Sequence, residues 1–382
     1  MPDDTIGLFD LGRQWPPLRD DALRVFEHVA SAGAFSLGSE LEEFEAEFAT
    51  FCGTSCCVGV ANGTVAIELA LRALGAGPGT EVVTVAHTFV ATVEAIAATG
   101  ARPVLVDIDP VTRCMDPAAL AGALSPRTVA VVPVHLYGHP AAMPAILETC
   151  ERAGVAVVED AAQAHGALLD GRRAGSMGAA GCFSFYPTKN LGAMGDGGAV
   201  VTDDEDLAAA VRSLRHHGSA PGDANRHERV GRTERLDNLQ AAMLRLKLPR
   251  LDEENAHRRW VAECYREALA DLPLGLPPVD APGAVSVHHL FVVEVEERDR
   301  VREALRGEGI LAGVHYPTPV HLQPGWRHLG YQPGGLPASE RAAARVLSLP
   351  GFPGMREAEV ERVCGALRRA VVGTGADAAA AT

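Results

Sequence analysis

The stretch VAVVEDAAQAHGALLDGRRAGSMGAAGCFSFYPTKNLG (residues 155–192) contains two β-rich runs, Val155–Glu159 and Gly181–Phe185, each followed by a loop with polar side chains. Runs of the same kind recur between Cys56 and Thr202, and stretches of helical periodicity separate most of them. Several runs are almost continuously apolar, as strands covered on both faces are. The alternation predicts a mostly parallel α/β sheet with right-handed crossovers, in which ligands bind outside the carboxyl ends of the strands.

Seven strands and five helices are predicted in this region. The strands are Cys56–Val60, Glu81–Val85, Pro103–Asp107, Thr128–Val134, Val155–Glu159, Gly181–Phe185 and Gly198–Thr202. The helices are Thr64–Leu74, Val90–Thr99, Pro117–Leu124, Ala141–Ala153 and Glu205–Arg215.

The prediction divides the chain into three parts. Residues 1–248 comprise an N-terminal arm with a short helix and the large domain. Residues 249–372 form a smaller α+β domain with a strand over His289–Val295 and a helix over Arg298–Gly307. One long helical stretch, Asp237–Leu272, joins the two domains and is interrupted at Pro249. Residues 373–382 are a low-complexity tail that we expect to be frayed.

Composition narrows the class of protein. The 382 residues carry a net charge of −15 and scattered arginines, which disfavours nucleic-acid binding. No uncharged apolar run reaches about 18 residues, so no membrane span is expected. The acidic start Met1–Asp4 lacks the order of a secretion signal, which predicts a cytoplasmic protein.

The cysteines do not predict a metal site. Cys52, Cys56 and Cys57 lie close together, but no second matching pair follows them. We interpret the eight cysteines as side chains that fill apolar gaps in a reducing compartment.

Lysine is unusually scarce. It occurs only at Lys189 and Lys247, so 34 − 2 = 32 of the basic residues are arginine. Lys189 follows a predicted strand among apolar and aromatic neighbours, where desolvation turns an amine into a nucleophile. Lys247 alternates with basic and apolar residues, a pattern that predicts a solvated helix face. Chemistry that needs a primary amine is therefore assigned to Lys189.

Two other predicted strands end in candidate ligand-binding residues. Val58–Thr64 (VGVANGT) turns through Gly63 into a helix, whose free N–H groups suit a phosphate; the alternative is an ordinary turn with a threonine cap. Asp160 follows a strand, where a carboxylate can pair with a protonated pyridine nitrogen or cap a helix. The run Gly195–Gly198 (GDGG) precedes a strand, which argues against a dinucleotide-binding oxidoreductase.

In combination, these motifs resemble the nucleotide-sugar aminotransferases (DegT/StrS-like), which have the aspartate-aminotransferase fold (fold type I). The resemblance extends from about Phe35 to Pro353. The matching stretches are Gly75–Val83, His87–Thr92, Pro133–Pro140, Glu159–Ala167 and Phe183–Gly192.

The resemblance implies a pyridoxal 5′-phosphate enzyme with pyridoxamine 5′-phosphate as its intermediate form. Lys189 would form the Schiff base with the cofactor and then shuttle a proton. Asp160 would pair with the pyridine nitrogen, Gln163 would contact the ring hydroxyl, and Phe89 would lie on the ring face.

The resemblance also implies a homodimer with shared active sites. The backbone of Gly63 and Thr64, with the Ser184 hydroxyl, would bind the cofactor phosphate. The segment His227–Arg235 of the second subunit would complete this site. Thr233 stands where the family usually has asparagine, so the expected contact is a single hydroxyl hydrogen bond.

Four residues are the candidate contacts of a sugar substrate: Tyr186, His315, Tyr316 and His321. For the two histidines, loop packing is an equally valid interpretation. The function implied is transfer of an amino group from L-glutamate to a keto sugar nucleotide, at C3 of a 6-deoxyhexose for antibiotic amino sugars. Amination at C4, amination of a keto-cyclitol and a cofactor-binding regulatory protein without turnover are the alternatives.

Overall fold

The computed structural model describes residues 4–379, without the side chains of residue 224 and residues 373–379. Its strands are β1 Cys56–Val60, β2 Glu81–Val85, β3 Arg102–Val106, β4 Thr128–Val132, β5 Ala156–Asp160, β6 Leu168–Leu169, β7 Arg172–Arg173, β8 Ala180–Ser184, β9 Gly198–Thr202, β10 Ser219–Ala220, β11 Asp223–His227, β12 Ala284–Val285, β13 Phe291–Glu294 and β14 Val346–Leu349.

The helices are α1 Arg19–Ala32, α2 Ser39–Cys52, α3 Gly63–Ala73, α4 Ala91–Ala98, α5 Pro117–Ala123, α6 Met143–Ala153, α7 Glu205–Leu214, α8 Asn238–Lys247, α9 Leu251–Ala268, α10 Arg298–Gly307, α11 Pro337–Arg345 and α12 Glu357–Ala379. Short 3-10 helices span Leu11–Gln14, Leu136–Gly138, Leu248–Arg250, Val320–Leu322 and Pro324–Leu329.

A seven-stranded sheet has the order β1-β9-β8-β5-β4-β2-β3, and we keep the name large domain for this sheet and the helices packed on it. The strands from β8 to β3 pair in parallel, whereas β9 is antiparallel to both of its neighbours. The predicted mostly parallel sheet of seven strands is therefore confirmed, and the predicted strand ends differ by at most two residues from the observed ones.

Apolar side chains of β1, β9, β8, β5, β4 and β2 pack against α3, α4 and α7 on one face of this sheet. On the other face, Phe44 and Phe48 from α2 form edge-to-face contacts with Phe183 and Phe185 of the β8 region, with ring centroids 5.0–5.4 Å apart. Burial on both faces is the physical reason why the strand sequences are almost continuously apolar. The packed sheet holds the carboxyl ends of its strands in fixed positions.

A second set of elements, for which we keep the name smaller domain, packs α9, α10 and α12 around β13 and β14. The predicted interruption at Pro249 is confirmed, because a 3-10 turn over Leu248–Arg250 separates α8 from α9. The predicted helix over Arg298–Gly307 is also confirmed. The last helix continues into the predicted low-complexity tail as far as Ala379, and residues 380–382 lie outside the described residues.

The N-terminal arm is held against the smaller domain, although it precedes the large domain in sequence. Ile6 exchanges backbone hydrogen bonds with Gly309 and Leu311. Arg13 forms a two-pronged ion pair with Glu359 at 2.5 and 2.9 Å. The arm contains a 3-10 helix and is followed by the two longer helices α1 and α2 in place of the single short helix that we predicted.

Candidate active site

A cavity of about 670 Å³ lies at the carboxyl ends of β1, β2, β4, β5 and β8. Loops that follow these strands form one end of the cavity. Phe9 of the arm and His289, Leu290, His315 and Tyr316 of the smaller domain form the other end. The site therefore lies where a parallel sheet is expected to bind its ligand.

Lys189 lines this cavity from the loop after β8. Its backbone N–H donates to the Tyr186 carbonyl at 2.8 Å, which closes a tight turn. Burial disfavours the ammonium form and lowers the pKa of Lys189 to about 8, whereas the nearby Asp160 carboxylate opposes that shift. An amine with this pKa is partly neutral near physiological pH and is available as a nucleophile.

Asp160 ends β5 with its carboxylate buried at the cavity. The Thr92 hydroxyl donates to Oδ2 at 2.8 Å, and the Ala162 N–H donates to Oδ1 at 3.2 Å. Burial raises the pKa of Asp160, while these hydrogen bonds and the charge of Lys189 act in the opposite direction. A cation placed beside this carboxylate would stabilise its ionised form. Thr92 was not predicted as a site residue, although it lies inside the matching stretch His87–Thr92.

The start of α3 faces the same cavity. Asn62 caps the helix, because its side chain accepts a hydrogen bond from the Val65 N–H at 3.0 Å; the alternative of a threonine cap is therefore wrong. A Cβ added to Gly63 would lie 2.6 Å from Cβ of Ser184, so no larger residue fits without a shift. Gly63 and Thr64 thus present first-turn N–H groups next to the Ser184 hydroxyl, an arrangement suited to a phosphate.

Gln163, Phe89 and Tyr186 also line the cavity. The Gln163 side chain accepts from the Tyr137 N–H at 2.7 Å and donates to the Tyr316 hydroxyl at 3.1 Å. The ring of Phe89 lies 5.5 Å from the ring of Tyr316. Phe89 and Tyr186 are each about half exposed, at 51% and 52%, and are free to contact a ligand.

The structure separates the two histidines predicted near the sugar. His315 lines the cavity, and its Nδ1 lies 2.8 Å from the Ser348 hydroxyl; burial lowers its pKa to about 4. His321 is buried outside the cavity lining, with Nε2 3.1 Å from a carboxylate oxygen of Glu340. Loop packing is therefore the better interpretation of His321.

Thr233 also lies outside the cavity of its own chain. Its hydroxyl is 2.8 Å from Nε2 of His217 on the surface. The neighbouring Arg232 does line the cavity and forms ion pairs with Glu68 at 2.5 Å and Glu234 at 3.1 Å. A role of Thr233 in the site of a second subunit stays a prediction.

Sequence reasoning missed Phe9, Arg232 and His289 as cavity residues. The ring of His289 stacks on that of Phe9 at 5.8 Å, and its Nδ1 lies 3.0 Å from the side-chain oxygen of Asn190. Each of these three residues is far in sequence from the carboxyl ends of β1, β2, β4, β5 and β8. For Arg232, the one indication in the sequence was its position next to Thr233, a predicted cofactor-binding residue.

Neither a metal centre nor a membrane helix is found in the described part of the chain. Residues 4–379 contain no group of three or more histidine, cysteine or acidic side chains that could hold a metal ion. Cys52, the last residue of α2, and Cys57 of β1 are buried in the same hydrophobic core. None of the helices described above is long and apolar enough to span a bilayer.

The sequence profile of the DegT/DnrJ/EryC1/StrS aminotransferase family matches residues 16–368. The chain belongs to this family. A DegT/DnrJ/EryC1/StrS relative, the dTDP-3-amino-3,4,6-trideoxy-α-D-glucose transaminase of Streptomyces venezuelae, is 46% identical over 364 residues, which cover 95% of each chain. The UDP-N-acetyl-3-dehydro-α-D-glucosamine 3-aminotransferase of Acidithiobacillus ferrooxidans is 44% identical over 369 residues, covering 97% of this chain and 99% of that protein.

Solved structures of DegT/DnrJ/EryC1/StrS proteins share the fold. The crystal structure of DesV from S. venezuelae, in complex with a ketimine intermediate, superimposes with a TM-score of 0.93 at 46% identity. The match covers 96% of this chain and 98% of that one. The predicted fold class, the aminotransferase activity and the family resemblance are therefore confirmed.

The cofactor of this DegT/DnrJ/EryC1/StrS aminotransferase is pyridoxal 5′-phosphate. The polar groups that line the cavity fit pyridoxal phosphate. Lys189 offers a primary amine for the aldehyde, and Asp160 offers a buried carboxylate for a ring cation. Because Gly63 lies close to Ser184, the first-turn N–H groups of α3 stand next to the Ser184 hydroxyl, where together they can bind a phosphate.

Proposed function

We propose that the chain transfers an amino group from L-glutamate to the keto group of a nucleotide-linked sugar, at C3 of a 6-deoxyhexose. The observation that carries this proposal is the convergence of Lys189 and Asp160 on one cavity from neighbouring strand ends. The names of both relatives support the C3 position, since each specifies amination at carbon 3. L-Glutamate as the donor is supported by the family resemblance.

The residues of the chain have separate tasks in this reaction. Bound pyridoxal phosphate supplies an electron sink for the carbon that loses its proton. Lys189 takes that proton on Nζ and returns it, because its lowered pKa lets the amine act as a base near neutral pH. The Asp160 carboxylate would stabilise a positive charge on the cofactor ring. The hydrogen bond from the Thr92 hydroxyl fixes the orientation of this carboxylate.

The cavity has room and suitable walls for a sugar. Its volume of about 670 Å³ lies within the range of about 300–1,000 Å³ typical of small-molecule sites. Aromatic rings of Phe9, Phe89, Tyr186 and Tyr316 line the cavity. Such rings offer apolar faces to the C–H bonds of a sugar ring, while the Tyr316 hydroxyl offers a hydrogen bond.

A substrate screen tests the proposal. The purified enzyme is incubated with L-glutamate and a panel of nucleotide-linked 3-keto and 4-keto hexoses and keto-cyclitols, and 2-oxoglutarate is measured. We expect the fastest turnover with a 3-keto-6-deoxyhexose nucleotide. Faster turnover with a 4-keto sugar or a keto-cyclitol would contradict the C3 assignment and identify that compound class as the substrate. If glutamate failed to bleach the cofactor absorbance, the regulatory alternative would replace the enzymatic one.

We further propose that two copies form a homodimer with shared sites. The position of Thr233 outside its own cavity supports this arrangement, as does the exposure of Phe89 and Tyr186, which line the cavity. Light scattering on the purified protein should give twice the mass of 40.1 kDa. A monomer with full activity would contradict shared sites.

We place the protein in the cytoplasm, which the state of its cysteines supports. All eight are free thiols in the structure, and six of them are buried. Fluorescence of a tagged copy in the producing cell tests this placement.

A further inference from the structure

Lys247, the second lysine of the chain, does not lie on a solvated helix face as the sequence pattern predicted. That prediction is wrong. Lys247 ends α8 partly buried, and its Nζ donates a hydrogen bond to the carbonyl oxygen of Gly192 at 2.6 Å. Gly192 is three residues beyond Lys189 in the same loop. The two lysines are thus linked through one short segment of backbone.

The loop that carries Lys189 is compact and closed. The Ala193 N–H donates to the Phe185 carbonyl at 2.8 Å, which joins the two ends of the loop. A Cβ added to Gly192 would lie 2.3 Å from the Pro187 carbonyl oxygen, so the two sides of the loop touch. We therefore expect a displacement of Gly192 to disturb Pro187, which is two residues before Lys189.

Further side chains hold the same loop at other points. The Gln240 side chain, also on α8, accepts a hydrogen bond from the Met194 N–H at 2.8 Å. The Asn190 side chain donates to Asn255 at 2.8 Å and to the Val287 carbonyl at 3.1 Å. Among the contacts of the described residues that anchor this loop, the Lys247 contact is the charged one. A hydrogen bond from a charged donor is stronger than one between neutral groups.

The use of lysine at this position is informative because the chain uses arginine at all its other basic positions except Lys189. An ammonium group is a compact donor on a flexible stem, whereas a guanidinium is longer, planar and forked. The Lys247 ammonium group reaches the Gly192 carbonyl at 2.6 Å, whereas the longer, planar guanidinium of an arginine would have to approach this carbonyl along a different path. The contact therefore depends on the shape of lysine as well as on its charge.

We propose that Lys247 is a positioning residue for Lys189: its ammonium group fixes the Gly192 carbonyl and thereby directs the Lys189 amine into the cavity beside Asp160. This inference rests on the proposed function insofar as Lys189 is the reacting amine. It assigns a task to a side chain that does not line the cavity.

The scarcity of lysine allows a test without cofactor or substrate. In Lys247→Met and Lys247→Arg, Lys189 is the single remaining lysine. Its reaction with an amine-selective acylating reagent is followed against pH by peptide mass mapping of the cofactor-free protein. Arg152→Met is the matched control, since it removes an exposed cation on α6 that pairs only weakly with Glu148 at 3.8 Å.

We expect the reaction of Lys189 in the wild type and in Arg152→Met to show a midpoint near pH 8. In Lys247→Met the midpoint should move upwards, towards the ordinary value of about 10.4, because the displaced amine becomes more hydrated. The kcat of the loaded enzyme should fall about tenfold or more, by the same factor with glutamate and with the keto sugar. Lys247→Arg should give a smaller change in the same direction.

An unchanged Lys189 midpoint and unchanged kcat in a folded Lys247→Met protein would overturn the proposal. If Lys247→Met failed to fold, Lys247→Arg and Lys247→Gln would be judged by the same two measurements. The cofactor-free titration also separates this inference from the proposed function. The pH midpoint of Lys189 acylation could shift in Lys247→Met although the wild-type enzyme aminates no keto sugar. That result would support the positioning role of Lys247 and contradict the proposed substrate.

Discussion

The two ends of the cavity are built differently. At the cofactor end, Gly63, Asp160, Ser184 and Lys189 lie at the ends of β1, β5 and β8 or within five residues of them. At the proposed substrate end, Phe9 comes from the arm, and His315 and Tyr316 come from a loop of the smaller domain. Hydrogen-bonded neighbouring strands fix the first group, whereas side-chain packing between distant segments fixes the second.

This difference has consequences for both chemistry and substrate choice. A strand end held by a packed sheet keeps a charge or a donor in place without reorganisation, as electrostatic stabilisation requires. Loops tolerate changes in sequence, so the substrate end can vary while the reaction stays the same. We therefore expect large losses of activity from changes at the cofactor end and modest, substrate-dependent effects at the other end.

The largest effect is expected for Lys189→Ala. It removes the amine that we propose binds the cofactor covalently and moves the proton, and a positioned acid–base group alone contributes about 10²–10⁴-fold to a rate. Turnover should fall below detection, although pyridoxamine phosphate should still bind without a covalent bond. Steady-state turnover and the absorbance of the bound cofactor measure the two properties.

Lys189→Arg is the control for this variant because it keeps the positive charge without a primary amine. It should be as inactive as Lys189→Ala. Full activity in either variant, or a borohydride-reduced adduct that maps to another residue, would contradict the role of Lys189.

Asp160→Asn should have the next largest effect. An amide cannot stabilise a ring cation by charge, and two unit charges in contact near a protein surface interact by about 4 kcal/mol. We expect kcat to fall about 10³-fold, since each 1.36 kcal/mol corresponds to a factor of ten. The control is Asp116→Asn, which removes a carboxylate that caps α5 away from the cavity. A near-normal rate for Asp160→Asn would show that the charge of Asp160 is not needed to stabilise a cation on the cofactor ring.

Much of the cofactor end could be predicted from the sequence, because its residues are adjacent to elements with a clear local pattern. The predicted strand Cys56–Val60 has the observed bounds, and it places Gly63 at the start of a helix. Likewise, the apolar run before Asp160 identified a strand end. The structure brings both residues into one cavity.

The rest could not be predicted, because it depends on contacts between segments distant in sequence. Phe9 enters the cavity only because the arm is held on the smaller domain by Arg13 and Glu359, 346 residues apart. Lys247 has the local pattern of a solvated face, yet a loop 55 residues earlier buries its amine. His321 lies near His315 in sequence but points into a separate packed region.

Gly63→Ala should reduce cofactor affinity. The added Cβ would lie 2.6 Å from Cβ of Ser184, and overpacking of this kind costs about 1–3 kcal/mol. Because the displaced groups are the proposed phosphate donors, the Kd for pyridoxal phosphate should rise about 5- to 150-fold. Gly122→Ala is the control, since a Cβ there meets nothing within 4 Å. Equal affinity in both variants would argue against a phosphate at the start of α3.

The pH dependence of cofactor uptake should reveal the environment of Lys189. Its pKa is lowered to about 8, so the neutral fraction of the amine reaches one half at pH 8 and levels off about one pH unit higher. The rate of covalent uptake by the cofactor-free protein should rise about fivefold from pH 7 to pH 8. Stopped-flow absorbance measures this rate. A rate that continues to climb to pH 10 would indicate an ordinary, solvated lysine.

The smallest effect is expected at the substrate end, for Phe9→Ala. Phe9 stacks on His289 and lines the cavity, so its loss removes one wall of the proposed sugar site but no reacting group. An aromatic contact contributes about 0.5–1.5 kcal/mol, which predicts a 2- to 10-fold rise in KM for the keto sugar. The half-reaction with glutamate should keep its rate, and Phe9→Leu should fall between the wild type and Phe9→Ala. Equal losses in both half-reactions would mean that the arm acts through the fold as a whole, and the two ends of the cavity would then not be separable in function.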